Sequence, residues 1–258
     1  MKPLKGLRII GKSTIALCKE LGAYSILLYR IASFSKSLIR DRHLLMEQMF
    51  RIGVKSLPLV TVVSLFTGAV SSWQAAYQFR GIISLDFLGT AVSAAIFIEL
   101  SPVLTGLVVA GRVGASIAAE VGTMVITEQV AALETLAIDP VRHIAAPRFH
   151  AGWIMLPVLV VYSYFLAHIG AFVVAGALLN ISAATFFTSV QNHFELHNVI
   201  SGLIKALVFG GGTALIGSSI GFSTEGGAKG VGESTIRAFV ASSTFILIAD
   251  YILAVILF

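Results

Sequence analysis

The run WIMLPVLVVYSYFLAHIGAFVVAGALL at 153–179 decides the class of this chain: it holds no Asp, Glu, Lys or Arg, and His168 is its one imidazole. About 20 apolar residues suffice for a helix to cross the ~30 Å hydrocarbon of a bilayer, so this stretch is read as a membrane span. Working outward, apolar runs of comparable length lie at 57–77, 87–110, 200–222 and 238–258. Gln78, Arg80 and Gly81 end the first and Gly111-Arg112 the second. Gln191, Asn192, His193, Glu195, His197 and Asn198 precede the fourth, and Glu225, Lys229, Glu233 and Arg237 precede the last. The expectation is an all-α polytopic membrane protein with about five transmembrane helices.

Composition agrees. Of 258 residues 57% are hydrophobic and 12% charged, against roughly 45–50% and 25% in a soluble domain. So few charges cannot cover so much apolar surface in water, whereas lipid solvates it directly. The single cysteine, Cys18, excludes a disulfide framework and a multi-cysteine metal site within one chain.

The net charge of +5 suggests nucleic acid until the charges are placed. Residues 2–55 carry eleven Lys and Arg, 112–148 carry Arg112, Arg142 and Arg148, and Lys229 and Arg237 lie at 223–237. The alternate side holds only Arg80, with Lys205 just inside the fourth span. That asymmetry puts the N-terminus and the loops 112–148 and 223–237 in the cytoplasm, with Phe258 near the outer face. The basic excess is therefore topological, attraction to anionic headgroups is secondary, and no nucleic-acid partner is expected.

Residues 1–55 form a separate region. Leu4, Leu7, Ile10, Ile15, Leu17, Leu21 and Leu28 recur at helical spacing among Lys5, Arg8, Lys12 and Lys19, which reads as a basic amphipathic helix lying in the membrane interface. Lys12 interrupts any signal-peptide core.

Two motif matches fail on context. GLRIIGKS at 6–13 satisfies a P-loop expression, but the strand that aims such a loop has no room in the five residues before Gly6. ILIAD at 246–250 resembles a Walker-B strand yet falls inside a span. The chain is expected to be non-catalytic and cofactor-free. His193 and His197 have i, i+4 spacing, but no third ligand accompanies them, so no metal is assigned.

The loop 112–148 carries more information. Ile117, Val121, Met124 and Glu128 fall on one helical stripe, with Glu120 and Gln129 off it and Pro140 ending the helix. A solvated connector does not need Glu120, Glu128 and Glu134 beside so many small residues; a helix seated in a groove on a partner does.

These residues also carry a resemblance. AGRVG at 110–114, AEVG at 119–122, TEQVAAL at 127–133, Asp139-Pro140 and Pro147-Arg148 resemble the signature of MlaE-type permeases. Gly226 to Thr235, Ser242-Ser243 and Asp250 resemble that family's C-terminal block, and with Glu99-Leu-Ser-Pro102 the likeness covers about 45–258. Such permeases are membrane subunits of ABC systems that move phospholipid between bacterial membranes, with plastid relatives. The resemblance implies a homodimer in the inner membrane, two cytoplasmic ATPase subunits, and a periplasmic ring of MCE-domain lipid-binding protein. It implies a coupling helix whose ATPase-facing residues are Arg112, Glu120, Thr127, Glu128, Gln129 and Asp139. Proteobacterial members often have a basic residue before the intramembrane glutamate; this chain has Ile98, so no headgroup role transfers to that position.

An ionised Glu99 in mid-membrane costs roughly 2.5–3.5 kcal/mol unless it faces protein or water. It reads either as a buried carboxyl bonded to Ser101 or a neighbouring helix, or as a polar mark on a lipid pathway with Pro102, Trp73 and Tyr77. Trp73 and Tyr77 also suit interfacial anchoring, and Gly217 and Gly221 suit close helix packing. The competing function is a stand-alone secondary transporter or channel. It would need several intramembrane titratable groups, and Glu99, His168 and Asp250 look scattered along the chain.

Overall fold

The computed structural model describes residues 3–35 and 41–258. Every regular element in it is helical: α1 (Pro3–Ser33), α2 (Arg42–Ile52), α3 (Leu57–Phe79), α4 (Leu88–Ala95), α5 (Ser101–Val109), α6 (Ala115–Ile126), α7 (Gln129–Thr135), α8 (Ala146–Leu179), α9 (Ala183–Asn192), α10 (Leu196–Phe222) and α11 (Gly227–Leu257). Wide π turns at Ile96–Leu100 and Ala110–Gly114 join neighbouring helices without ending them, and a third at Val141–Ala145 leads into α8.

Five long helices result, Arg42–Phe79, Leu85–Ile126, Val141–Leu179, Leu196–Phe222 and Gly227–Leu257, each long and apolar enough to cross a membrane. All five begin before the apolar cores legible in the sequence, four of them running more than ten residues beyond those cores. Arg42–Phe79 is 38 residues long, or roughly 57 Å at 1.5 Å per residue, so it stands well clear of a ~30 Å hydrocarbon layer. Its charged first turns, with Arg42, Glu47 and Arg51, hide it from hydropathy.

The stretch read as one loop helix over 112–140 is divided. Its first half is the end of the second long helix, and the chain breaks at Glu128, whose φ of 59° leaves the helical region. Pro140 does not stop a helix but opens the third long one. The Asp139 carboxylate accepts from the Val141 and Arg142 amides at 2.8 and 3.4 Å, replacing partners those donors lack in a first turn.

Helix α8 is the hub, packed along α3 and α10, while α6 fills the angle between α10 and α11. Ile117, Ala118, Val121 and Gly122 of α6 are buried. Gly217 and Gly221 of α10 face them: a Cβ at Gly217 would stand 2.8 Å from the Gly114 carbonyl, and one at Gly221 2.6 Å from Val121 Cβ. Hydroxyl pairs add directional links between α3 and α8, Thr61 with Tyr162 and Ser64 with Ser163, both at 2.8 Å.

Helix α1 crosses one end of this bundle. Leu27 and Ile31 are buried against Val141, Ala145, Ala146 and Leu215, while Ile15, Leu21, Ile26 and Leu28 are exposed. The side chains at 3–13, 16 and 17, which carry much of the amphipathic pattern, lie outside the described residues. The backbone at 6–13, where the P-loop expression matched, is continuous helix within α1.

Candidate functional site: an intramembrane charge cluster and a polar end

Three charged side chains from three long helices meet inside the bundle. Lys205 of α10 has no exposed side-chain surface. Its ammonium donates to Glu99 Oε1 at 2.6 Å and lies 2.9 Å from Asp250 Oδ1 on α11. The second contact has ion-pair distance but not hydrogen-bond direction, for Asp250 Oδ1 accepts no hydrogen bond. Glu99 keeps 41% of its side chain exposed and Asp250 20%. Two of the three groups that looked scattered, Glu99 and Asp250, are therefore joined, through a lysine that the sequence offered only as a topological charge. Glu99 does not use Ser101, whose hydroxyl has no hydrogen-bond partner among the described residues. His168 stands apart, held by the Tyr164 carbonyl and Ser93 at 2.7 and 3.0 Å.

Local sequence explains how Glu99 arrives there. Pro102 has no N–H to give, and the turn before it widens to i→i−5 spacing, with the Ser101 amide bonding to Ile96 O. In that register the Phe97 carbonyl lacks its donor, and the Tyr164 hydroxyl of α8 supplies one at 3.0 Å. Gly202 of α10 permits the approach, since a Cβ there would collide with both Tyr164 Oη and Phe97 O. The π turn thus points Glu99 at Lys205, and π turns recur at functional positions.

Of the other residues expected on a lipid pathway, Pro102 is buried in this junction. Trp73 and Tyr77 are exposed on α3, continuing a stripe of Val62, Phe66 and Val70. Phe66 and Val70 also wall an open groove of about 480 Å³ with Leu100 and Leu104, and Gln74 lies along it. The groove therefore borders the turn that carries Glu99.

The residues expected to face an ATPase fall into two groups. Glu120 belongs to an internal network: its Oε2 takes Arg148 at 3.2 Å and Arg51 at 3.4 Å, and Arg51 also pairs with Glu47 at 2.8 Å. Arg148 is only 5% exposed and donates as well to Ile144 O. Arg112 donates to Ser56 Oγ at 2.5 Å. Asp139, besides capping α8's lead-in turn, takes Arg30 of α1 on both oxygens at 3.1 and 2.9 Å. A second fork joins Arg142 to Asp41. Thr127, Glu128 and Gln129, by contrast, are exposed, with the Gln129 amide donating to Thr127 Oγ1 at 3.0 Å. Beside them a cavity of about 340 Å³ opens among Gln48, Met124, Gln129, Leu133, Leu136 and Arg148. Arg148, Arg30, Asp41 and Arg142 went unassigned in the sequence because nothing in their spacing names a partner over 28 to 109 residues away.

His193 and His197 do not share a helix: α9 ends before the first and α10 begins before the second. They bond separately, to Thr90 Oγ1 and to the Leu257 carbonyl.

Comparison with known proteins matches the family described as Permease MlaE over residues 45–256. The chain belongs to the MlaE permease family. Its relatives include a probable ABC transporter permease protein of Rickettsia typhi, 40% identical over 253 residues, covering 97% of this chain and 96% of the relative. Another, from Synechocystis, is 41% identical over 218 residues, 84% and 83% of the two chains. The intermembrane phospholipid transport system permease protein MlaE of Haemophilus influenzae is 33% identical over 251 residues, 96% of each. The chain is thus a multi-pass ABC transporter permease of MlaE type. A permease of an ABC transporter implies an ATPase partner, and the names of the relatives fit a non-catalytic membrane subunit.

Proposed function

We propose that this permease carries phospholipid between membranes, driven by ATP hydrolysis on a separate subunit. A phospholipid needs an apolar channel for its chains and a polar place for its phosphate, and the observation that carries the reading is the adjacency of the two. The apolar groove of α3 and α5 borders the turn that presents Glu99 to Lys205 and Asp250. The name of the Haemophilus influenzae relative, an intermembrane phospholipid transport system permease, supports the same cargo.

In this reading two copies face one another in the bacterial inner membrane, with the exposed α3 stripe and Glu99 toward a shared cavity. The α1 end is cytoplasmic and Phe258 periplasmic, in keeping with the charge asymmetry, and a periplasmic MCE-domain protein receives or delivers lipid. Helix α1 lies along the inner surface, and the first turns of Arg42–Phe79 rise from that side. Thr127, Glu128 and Gln129 contact the ATPase. Glu120, Arg112 and Asp139 hold α6 and α7 against the rest of the bundle, so nucleotide-driven motion of the tip travels up the continuous helix Leu85–Ile126 toward Glu99.

Purification in mild detergent tests the assembly. Recovery with an ATPase, an MCE-domain protein and bound phospholipid is expected; a solitary, lipid-free protein opposes it. The buried lysine between two carboxylates favours one other reading, a secondary transporter whose cluster loads a proton or cation. A pH gradient without ATP would then drive transport.

A further inference from the structure

At the α1 end a small polar pocket of about 90 Å³ lies between α2 and α6, lined by Gln48, Arg51, Arg112, Ser116 and Glu120. Arg51, Arg112 and Glu120 line it, and Arg51 and Glu120 pair further with Glu47 and Arg148 just beyond, so the network holds three guanidiniums and two carboxylates. One positive charge is left over, and it sits on Arg112, which among the described residues pairs with no carboxylate. Of its five N–H donors one goes to Ser56 Oγ. The Gln48 amide makes no hydrogen bond among the described residues. Glu120 does not repel an incoming anion strongly, because Arg51, Arg148 and Ser116 already hold its oxygens.

We propose that this pocket binds a phosphate oxyanion, presented by a glycerophospholipid at the bilayer surface, with Arg112 as the main contact. The volume holds about three waters at ~30 Å³ each, room for a tetrahedral oxyanion. A guanidinium fork suits phosphate oxygens bidentately. Lipid is favoured as the carrier by what surrounds the pocket. Val54 and Leu59, exposed apolar side chains, lie on the bilayer side of the pocket where the first apolar span begins. A headgroup can thus enter with its acyl chains directed toward those two side chains and the hydrocarbon beyond. The site shares no residue with the groove of α3 and α5 and does not depend on which cargo the permease moves.

The purified chain, in a neutral maltoside detergent, is melted against dihexanoylphosphatidylglycerol, inorganic phosphate, and dihexanoylglycerol, which lacks the phosphate. A saturable rise in Tm with the phospholipid and none with dihexanoylglycerol is expected. Losing a charge-assisted hydrogen bond should raise the half-saturating concentration in Arg112→Gln about tenfold or more, while Arg80→Gln titrates like the wild type. Saturation by inorganic phosphate alone, also lost in Arg112→Gln, supports the oxyanion site with the free ion as its occupant. No saturable effect of either ligand, or unchanged titration in Arg112→Gln, overturns the proposal. So does an Arg112→Gln protein that binds lipid normally but no longer binds the ATPase, which marks the pocket as a socket for a partner's carboxylate. Should Arg112→Gln not fold, photoreactive phosphatidylglycerol on the wild type decides: labels within 42–56 and 110–120 support the site, and labels only elsewhere refute it.

Discussion

Lys205 is fully enclosed, yet its ammonium lies within 2.6 Å of Glu99 and 2.9 Å of Asp250, so three of the long helices share one charge cluster. Removing the cation leaves two carboxylates facing each other in apolar surroundings, whereas removing either carboxylate leaves a neutral pair. Glu99 and Asp250 are themselves partly exposed, so Lys205→Met is expected to destabilise by about 1–3 kcal/mol rather than the full buried-pair cost, and more than Glu99→Gln or Asp250→Asn. Thermal melts of the three variants in one detergent give the order. Equal melting temperatures would show that the carboxylates do not depend on the lysine.

Glu120 and Arg148 bind α6 to α8. Glu120→Ala strands a guanidinium that is 95% enclosed, but Glu120 is itself a third exposed, so about 1–3 kcal/mol is expected rather than the full buried-pair cost. Adding Arg148→Met should recover part of it, and a double-mutant cycle measures the coupling. Additive losses would contradict the pairing.

Glu128 sits at φ 59°, where a β-carbon is strained by about 1–2 kcal/mol. Glu128→Gly should thus raise stability by about 1 kcal/mol. Glu128→Arg should insert and melt like the parent while losing ATP-driven lipid transfer. Full transfer by the charge-reversed protein would remove Glu128 from the ATPase contact.

Asp139 both receives Arg30 and caps the start of Val141–Leu179. Arg30→Ala breaks a partly exposed pair and should cost under about 1 kcal/mol; Asp139→Ala loses the cap as well, about 1 kcal/mol more. Hydrogen exchange separates the two: both variants speed exchange in α1, and only Asp139→Ala does so at Val141 and Arg142.

The spans were legible because lipid demands long apolar helices, and nothing in 153–179 competes with that demand. What the sequence obscured follows one rule. Hydropathy marks where a helix touches hydrocarbon and is silent on where it ends, so the charged turns of Arg42–Phe79 and the polar reach of Leu85–Ile126 read as loop. Glu99 stood out as an intramembrane acid, but its partners come from residues 106 and 151 positions away, and only packing brings Lys205 and Asp250 to it. Three ionisable groups inside spans are nonetheless a signal to seek a shared cluster. Asp139-Pro140 was a readable helix start, since a carboxylate before proline suits a first turn; the apolar stripe preceding it favoured a stop instead.

The most direct measurement places the permease and its ATPase in donor vesicles with labelled phospholipid and follows transfer to acceptor vesicles through the MCE-domain protein. Transfer is expected with ATP and the complete set, and should vanish without ATP, without the ATPase, or in Lys205→Met that still inserts. Lipid-independent ion flux through the permease alone, or ATP-driven movement of some other cargo with labelled phospholipid left in place, would contradict the reading.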